Sequence, residues 1–287
     1  MAKTPSPLAK NSKPSLSNSL DINNFGRILV LSDLHLCKRL STIDDVDQLR
    51  PLWQGVDTLI LNGDTEESYS KKYAKDSQAK TKELLALASS DGVDVVFLNG
   101  NHDPMISDNH AIKIHNDSIL IMHGHAVFPE VAPWTWYAKK IIAHRKQVLA
   151  ELGNSYEAQL HSTQIVSDRS AKSRAIKNRP SLLGIPYRTV WCIIKILHTW
   201  HRFSRITDAW VSQYSPKSKF VVVGHTHHAG IWETKNRVII NTGCFGFPSH
   251  PRGILIEQNT LQVYRIKKQQ NEYVLHQLLD SWDFDER

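Results

Sequence analysis

The sequence predicts an α/β fold of two packed sheets with a helical insertion, and three observations carry that prediction. Apolar runs of strand length recur along the chain. Side chains with metal-ligand chemistry follow five of those runs, and a basic, tryptophan-rich segment of helical character interrupts the series.

Residues 1–25 are rich in Ser, Pro, Lys and Asn and carry too few apolar residues to form a core, so a disordered tail is expected. No apolar stretch resembles a secretory signal, and none approaches the ~18 residues of a membrane span. The three cysteines, Cys37, Cys192 and Cys244, are far apart and form no C-x-x-C. That usage argues against a disulfide framework or structural zinc, and a cytoplasmic location is expected.

Runs 28–31, 59–61, 95–98, 119–122 and 220–223 read as buried strands. Asp33 and His35 follow the first, Asp64 the second, Asn101 and His102 the third, His123 the fourth, and His225 and His227 the fifth. Ligands at the carboxyl ends of neighbouring strands are expected to meet on one sheet rim. Residues two apart on extended backbone share a face, so Asp33 with His35, and His225 with His227, are expected to point together. Glycines 63, 100, 124 and 224 sit beside these residues, where the chain turns sharply or approaches an ion closely. Runs 238–243, 253–256 and 261–264 read as strands completing the second sheet, and 272–287 as a short helix with a frayed acidic end. Asn241, Thr242 and Gly243 read as a turn, or as a loop that approaches the site.

Two Asp, one Asn and four His, namely Asp33, His35, Asp64, Asn101, His123, His225 and His227, are the hard and imidazole donors that a pair of divalent ions requires. Mn, Fe and Zn suit the set, with Mn favoured. No P-loop string is present, and such a site needs no Ser or Cys nucleophile.

The strings Asp33-Leu34-His35, Gly63-Asp64, Gly100-Asn101-His102-Asp103, His123 and Gly224-His225-Thr226-His227 occur in the order D-x-H, G-D, G-N-H-D, H and G-H-x-H. In these motifs the chain resembles the calcineurin-like metallophosphoesterases. The resemblance implies a four-layer α-β-β-α sandwich of two mixed sheets flanked by helices. It implies one metal on Asp33, His35 and His227, a second on Asn101, His123 and His225, Asp64 bridging both, and His102 as the catalytic histidine. The expected reaction is attack of metal-activated water on a phosphodiester or pyrophosphate, with His102 protonating the leaving oxygen. Asp103 either orients His102 or holds a turn. His125 is read as a substrate contact, a partner of a ligand, a ligand or a structural residue, and His228 as a flank.

A catalytic domain of 26–130 and 220–287 is expected, interrupted by an insertion at 131–219. The insertion holds fifteen Lys or Arg against four Asp or Glu, while the remainder holds twenty against twenty-four, so it carries the whole positive excess of the chain. It also holds five of eight tryptophans, Trp134, Trp136, Trp191, Trp200 and Trp210. A long helix is expected from about 134 to 160 and a second from about 187 to 212. On the second, Val190, Ile193, Ile194, Ile196, Leu197, Trp200 and Phe203 cover one arc, and Arg188, Lys195 and Arg202 form a basic stripe. Such a helix suits a membrane surface or an acyl-bearing anionic substrate, or simply packs its arc on the catalytic domain. Lys172, Arg174, Lys177 and Arg179 suit the phosphates of substrate or nucleic acid equally. The helical insertion and the G-H-T-H string are similar to the branch of UDP-2,3-diacylglucosamine pyrophosphatases. That branch has Arg at the position of His102 and H-G-D where this chain has His123-Gly124-His125. A nucleic-acid or cyclic-nucleotide phosphodiesterase is the alternative, and a non-enzymatic scaffold is disfavoured because every ligand is present.

Overall fold

The computed structural model describes residues 26–39, 41–129, 138–174, 185–247 and 249–284. The tail expected at 1–25 lies outside the described residues, as do Trp134, Trp136, Lys177 and Arg179. Two mixed sheets flanked by helices form the architecture. The first contains β1 (Ile28–Leu31), β2 (Thr58–Asn62), β3 (Asp94–Leu98), β9 (Arg252–Glu257), β10 (Thr260–Gln269) and β11 (Glu272–Asp283), in the order β11-β10-β9-β1-β2-β3. The second contains β4 (Ala111–Ile114), β5 (Ile119–Met122), β6 (Phe220–Val223), β7 (Gly230–Glu233) and β8 (Val238–Asn241), in the order β4-β5-β6-β8-β7. Each sheet has a parallel heart, β1-β2-β3 and β5-β6-β8, with antiparallel partners alongside.

Alternate side chains of the central strands divide between two cores. Ile28, Val30 and Ile60 face Ile119, Ile121, Val222 and Ile240 between the sheets. Their neighbours Leu29, Leu31, Leu59 and Leu61 pack outward on the 3-10 helix Val46–Trp53 and on α1 (Ala74–Ser90). Leu120, Met122, Val221 and Val223 pack outward on Leu160, Phe203 and Val211, which lie between β5 and β6 in the chain. Burial on both faces explains why these strands read as continuous apolar runs. Each fully buried Leu or Ile contributes about 1.5–3 kcal/mol.

Among the described residues three helices fall between β5 and β6: α2 (Ala138–Leu152), α3 (Tyr156–Arg174) and α4 (Ile185–Tyr214). The single helix expected over 134–160 is instead two. Gly153 takes φ +87°, the Ser155 hydroxyl accepts from the Ala158 backbone N–H at 3.1 Å, and the chain restarts as α3.

Three further expectations are corrected. Runs 253–256 and 261–264 join the first sheet, with β9 on β1, and not the second. Residues 272–283 form a strand, not a helix, hairpinned to β10 through Gln270 and Asn271, both at positive φ. Register shifts after Val263 and after Arg265 break the alternation that would have marked it. Finally, the ligand-bearing strands do not share one sheet: β1, β2 and β3 belong to the first, β5 and β6 to the second.

Candidate metal centre

The loops leaving β1 and β2 run together beyond their strands. Backbone N–H groups of Asp33, His35 and Leu36 donate to the carbonyls of Gly63, Asp64 and Thr65 at 3.1, 2.9 and 3.0 Å. Asp33, His35 and Asp64 all sit at positive φ, 52°, 47° and 52°. His225 and His227 do the same at 64° and 54°. Paired residues therefore share a direction through repeated left-handed turns, not through the strand alternation expected. Across the seam, the Gly224 backbone N–H donates to the His123 carbonyl at 2.9 Å and the His225 N–H reaches Asp33 Oδ1 at 3.2 Å. A Cβ at Gly224 would strike the Asp33 carboxylate.

The donors form two adjoining groups. Asp33, His35 and His227 make one, with His227 Nε2 3.1 Å from both Asp33 Oδ1 and His35 Nε2. Asp64, His123 and His225 make the other, and Asn101 Oδ1 lies 3.3 Å from His123 Nε2. Asp64 Oδ2 faces both, 3.4 Å from His123 Nε2 and 3.8 Å from His35 Nε2. Hydrogen bonds from the far ring nitrogens fix the tautomers. His123 Nδ1–H donates to the Asn62 carbonyl at 2.9 Å, His35 Nδ1–H to Glu67 Oε1 at 2.8 Å, and His225 Nε2–H to the Phe128 carbonyl at 3.1 Å. All seven residues thus turn an oxygen or a ring nitrogen into one largely buried volume, a donor set that fits a pair of divalent cations once the His123 and His227 rings give up a proton.

A family model described as calcineurin-like phosphoesterase matches residues 26–229. The chain belongs to the calcineurin-like phosphoesterase family. It is a metal-dependent phosphoesterase. Similar solved structures include the zinc complex of Vps29 from Entamoeba histolytica, at 18% identity and TM-score 0.41 over 90% of this chain and 99% of that one. A dimetal phosphatase from Danio rerio is similar at 10% identity and TM-score 0.43, over 84% and 96%. The Yfce phosphoesterase of E. coli is similar at 11% identity and TM-score 0.43, over 90% and 99%. No curated protein matches the sequence of the phosphoesterase.

Glu67 of this phosphoesterase was not anticipated from sequence. Its carboxylate accepts from His35 Nδ1–H, from His102 Nδ1–H at 2.9 Å and from Lys38 Nζ at 2.9 Å. Burial opposes its ionisation, but the His102 and His35 rings, with Lys38, hold it well below the usual carboxylate range. The available signal was a carboxylate three residues after Asp64. His102 Nε2, the ring's free nitrogen, lies 4.0 Å from Asp64 Oδ2, and its side chain is partly exposed.

Asp103 does not orient His102. Its oxygens accept the backbone N–H groups of Asp64, Thr65, Glu66 and Gly100 at 3.0, 2.7, 3.2 and 2.9 Å, so it takes the turn role and pins two ligand loops together. Burial, with Asp64 close by, pushes it up to about 7.

His125 is 4% exposed, and neither ring nitrogen finds a partner among the described residues. Its ring lies 5.4 Å from that of His123 and 6.3 Å from that of His225, outside both donor groups. Burial, reinforced by His123, holds it well below the ordinary imidazole value.

The two described side chains of the basic stripe, Lys195 and Arg202, contact neighbours on their own helix. The Arg188 side chain is outside those described, Lys195 lies over the Trp191 ring at 5.3 Å, and Arg202 is exposed with Nη1–H donating to His198 at 3.4 Å. The apolar arc splits. Phe203 is buried and stacks on Phe128, whereas Ile193, Ile194 and Leu197 are 51%, 59% and 56% exposed. Trp200 Nε1–H donates to the Thr226 carbonyl at 3.0 Å and ties α4 to the loop that carries His225 and His227.

Proposed function

We propose that this phosphoesterase hydrolyses a phosphodiester or pyrophosphate bond, with one divalent ion on Asp33, His35 and His227, a second on Asn101, His123 and His225, and Asp64 shared between them. Manganese is the favoured metal. The observation that carries the reading is the position of Asp64 Oδ2 within 3.8 Å of ring nitrogens from both donor groups. When bound, a divalent pair offsets the charge of the phosphoryl oxygens, aligns the attacking and leaving oxygens and acidifies the attacking water.

The chain supplies the rest. Glu67 fixes the His102 ring by its Nδ1–H, so Nε2 faces the same space and delivers a proton to the leaving oxygen. Glu67 also holds His35 in the tautomer that leaves Nε2 free for metal.

For the substrate the reading is a lipid-linked nucleotide such as a UDP-linked acylated sugar, met at the cytoplasmic face of a membrane. Exposed Ile193, Ile194 and Leu197 on a helix that also bears Lys195 and Arg202 support it. No helix among the described residues is long and apolar enough to cross a membrane, which agrees with peripheral contact.

Manganese-loaded protein is assayed against UDP-2,3-diacylglucosamine, simple nucleoside diphosphate sugars, bis-p-nitrophenyl phosphate and single-stranded oligonucleotide, with Asp64→Ala as blank. Selective cleavage of the acylated UDP-sugar is expected. Cleavage of the diester and oligonucleotide alone would make the basic insertion a nucleic-acid surface. Absence of both metal uptake and cleavage would overturn the hydrolase and leave a scaffold.

A further inference from the structure

β9 and β10 pair so that Arg252 stands directly opposite Arg265. Such partners share a face of the sheet, and like charges placed opposite one another destabilise it. Among the described residues neither guanidinium has an acidic partner, and Arg252 Nη1 is buried without any hydrogen bond. Burial, and after it the charge of Arg265, presses Arg252 below its usual value.

Both arginines line a cleft of about 380 Å³ whose walls include His227, His228, Trp200 and His250. No carboxylate lines it among the described residues. His228 arrives from a different element, the loop after β6, and its Nδ1 is likewise buried without a partner. Its ring stacks on Trp200 with centroids 4.4 Å apart and planes 9° from parallel, and Trp200 is anchored to the Thr226 carbonyl. His227 belongs both to this cleft and to the donor cluster.

Water in the cleft can satisfy single N–H groups but leaves two like charges face to face. An anion offsets both costs, and guanidinium forks match phosphoryl oxygens. We infer that Arg252, Arg265 and His228 form a subsite for a second phosphoryl group, beside the one gripped at the donor cluster, so that the substrate carries two phosphoryl groups close together as a phosphoanhydride does. The inference rests on the hydrolase reading, which places the reacting phosphoryl group at the donors next to His227. It favours the pyrophosphate over the simple diester, and it assigns residues to that preference.

The test titrates manganese-loaded protein calorimetrically with methylenediphosphonate and, separately, with methylphosphonate, neither of which can be hydrolysed. The native protein is expected to prefer the diphosphonate, and Arg265→Gln and His228→Gln each to reduce that preference by about tenfold. Arg265 is exposed, so its replacement does not threaten the fold. The Arg265→Gln change is also expected to raise the thermal midpoint of ligand-free protein, because it relieves the cross-strand repulsion; a merely structural arginine would lower it. A preference unchanged in both variants, or absent from the native protein, overturns the subsite. If the variants lose the preference while the native protein cleaves no phosphate ester or anhydride, the subsite stands and the hydrolase reading fails. If the native protein cleaves and the variants keep the preference, the hydrolase stands and the subsite fails.

Discussion

Metal uptake by this centre at neutral pH should expel at least two protons. Burial alone would lower both His123 and His227, but Asp64 and Asp33 push His123 up to about 9, and Asp33 with the Cys244 sulfur pushes His227 up to about 10. At pH 7 more than about nine-tenths of each ring is therefore protonated in the metal-free protein. A ring must be neutral to give a lone pair to a cation, so both protons leave on loading. Burial pushes His35 and His225 down to about 4 and about 3, so these rings are already neutral and add nothing near pH 7. Between pH ~6.5 and about 9 the combined affinity for two ions should rise by roughly two decades per pH unit. Calorimetric titration with Mn²⁺ in buffers of different ionisation enthalpy counts the protons from the slope. A slope near zero would refute the reasoning, because it would mean that the rings are neutral before metal arrives. The sign for stability follows from the same shifts. Raised values on His123 and His227 stabilise the metal-free fold fully below pH ~6.5, and that contribution is lost as pH climbs through about 9 and 10. Lowered values on His35 and His225 act oppositely, costing stability as pH falls below ~6.5. Asp64 shares one interaction with His123, and its depressed value is not a separate gain.

Replacing His102 by Ala should leave metal content intact and lower turnover by about 10²- to 10⁴-fold; unchanged turnover would remove its proton-delivery role. Glu67→Gln should lower turnover about 10- to 100-fold and move the pH–rate profile, since it releases both the His102 and His35 rings; an unaltered profile would show that it positions neither. Asp103→Asn turns an amide toward backbone N–H groups and should cost about 1–3 kcal/mol in urea unfolding, and an unchanged midpoint would show that the four bonds do not hold the loops. Gly224→Ala forces a Cβ onto the Asp33 carboxylate, so stoichiometric metal binding should fall; full metal content by elemental analysis would mean that the loop can yield.

The donors were legible because each sits within a string of two to four residues, and the strands bearing them because burial on both faces leaves unbroken apolar runs. What failed to show was non-local. Nothing near Val263 or Arg265 announces a bulge, so the alternation of Glu272–Asp283 was blurred into helix. Sheet membership of Arg252–Glu257 depends on pairing with Ile28–Leu31, more than two hundred residues earlier. Glu67 meets His102 only once two loops are folded together, and Arg252 faces Arg265 only in the finished hairpin. The single helix expected over 134–160 ran straight through Gly153, whose positive φ ends α2. Of the apolar arc on Ile185–Tyr214, Phe203 found a partner and Ile193, Ile194 and Leu197 did not, a distinction that helical periodicity cannot draw.

The two sheets share no strand, yet three strands of one and two of the other feed a single cluster of donors. Ions seated there would act as a clasp between halves that side-chain packing, loop contacts and hydrogen bonds such as Asn62 Nδ2–H to the Met122 carbonyl also join. Chelation should then be felt at a distance from the chemistry. Amide exchange should quicken along the seam between Val30 and Val222, deep in the apolar interior, while the outward-facing helices keep their protection. The catalytic metals of such a fold would be fasteners of its architecture as much as reagents.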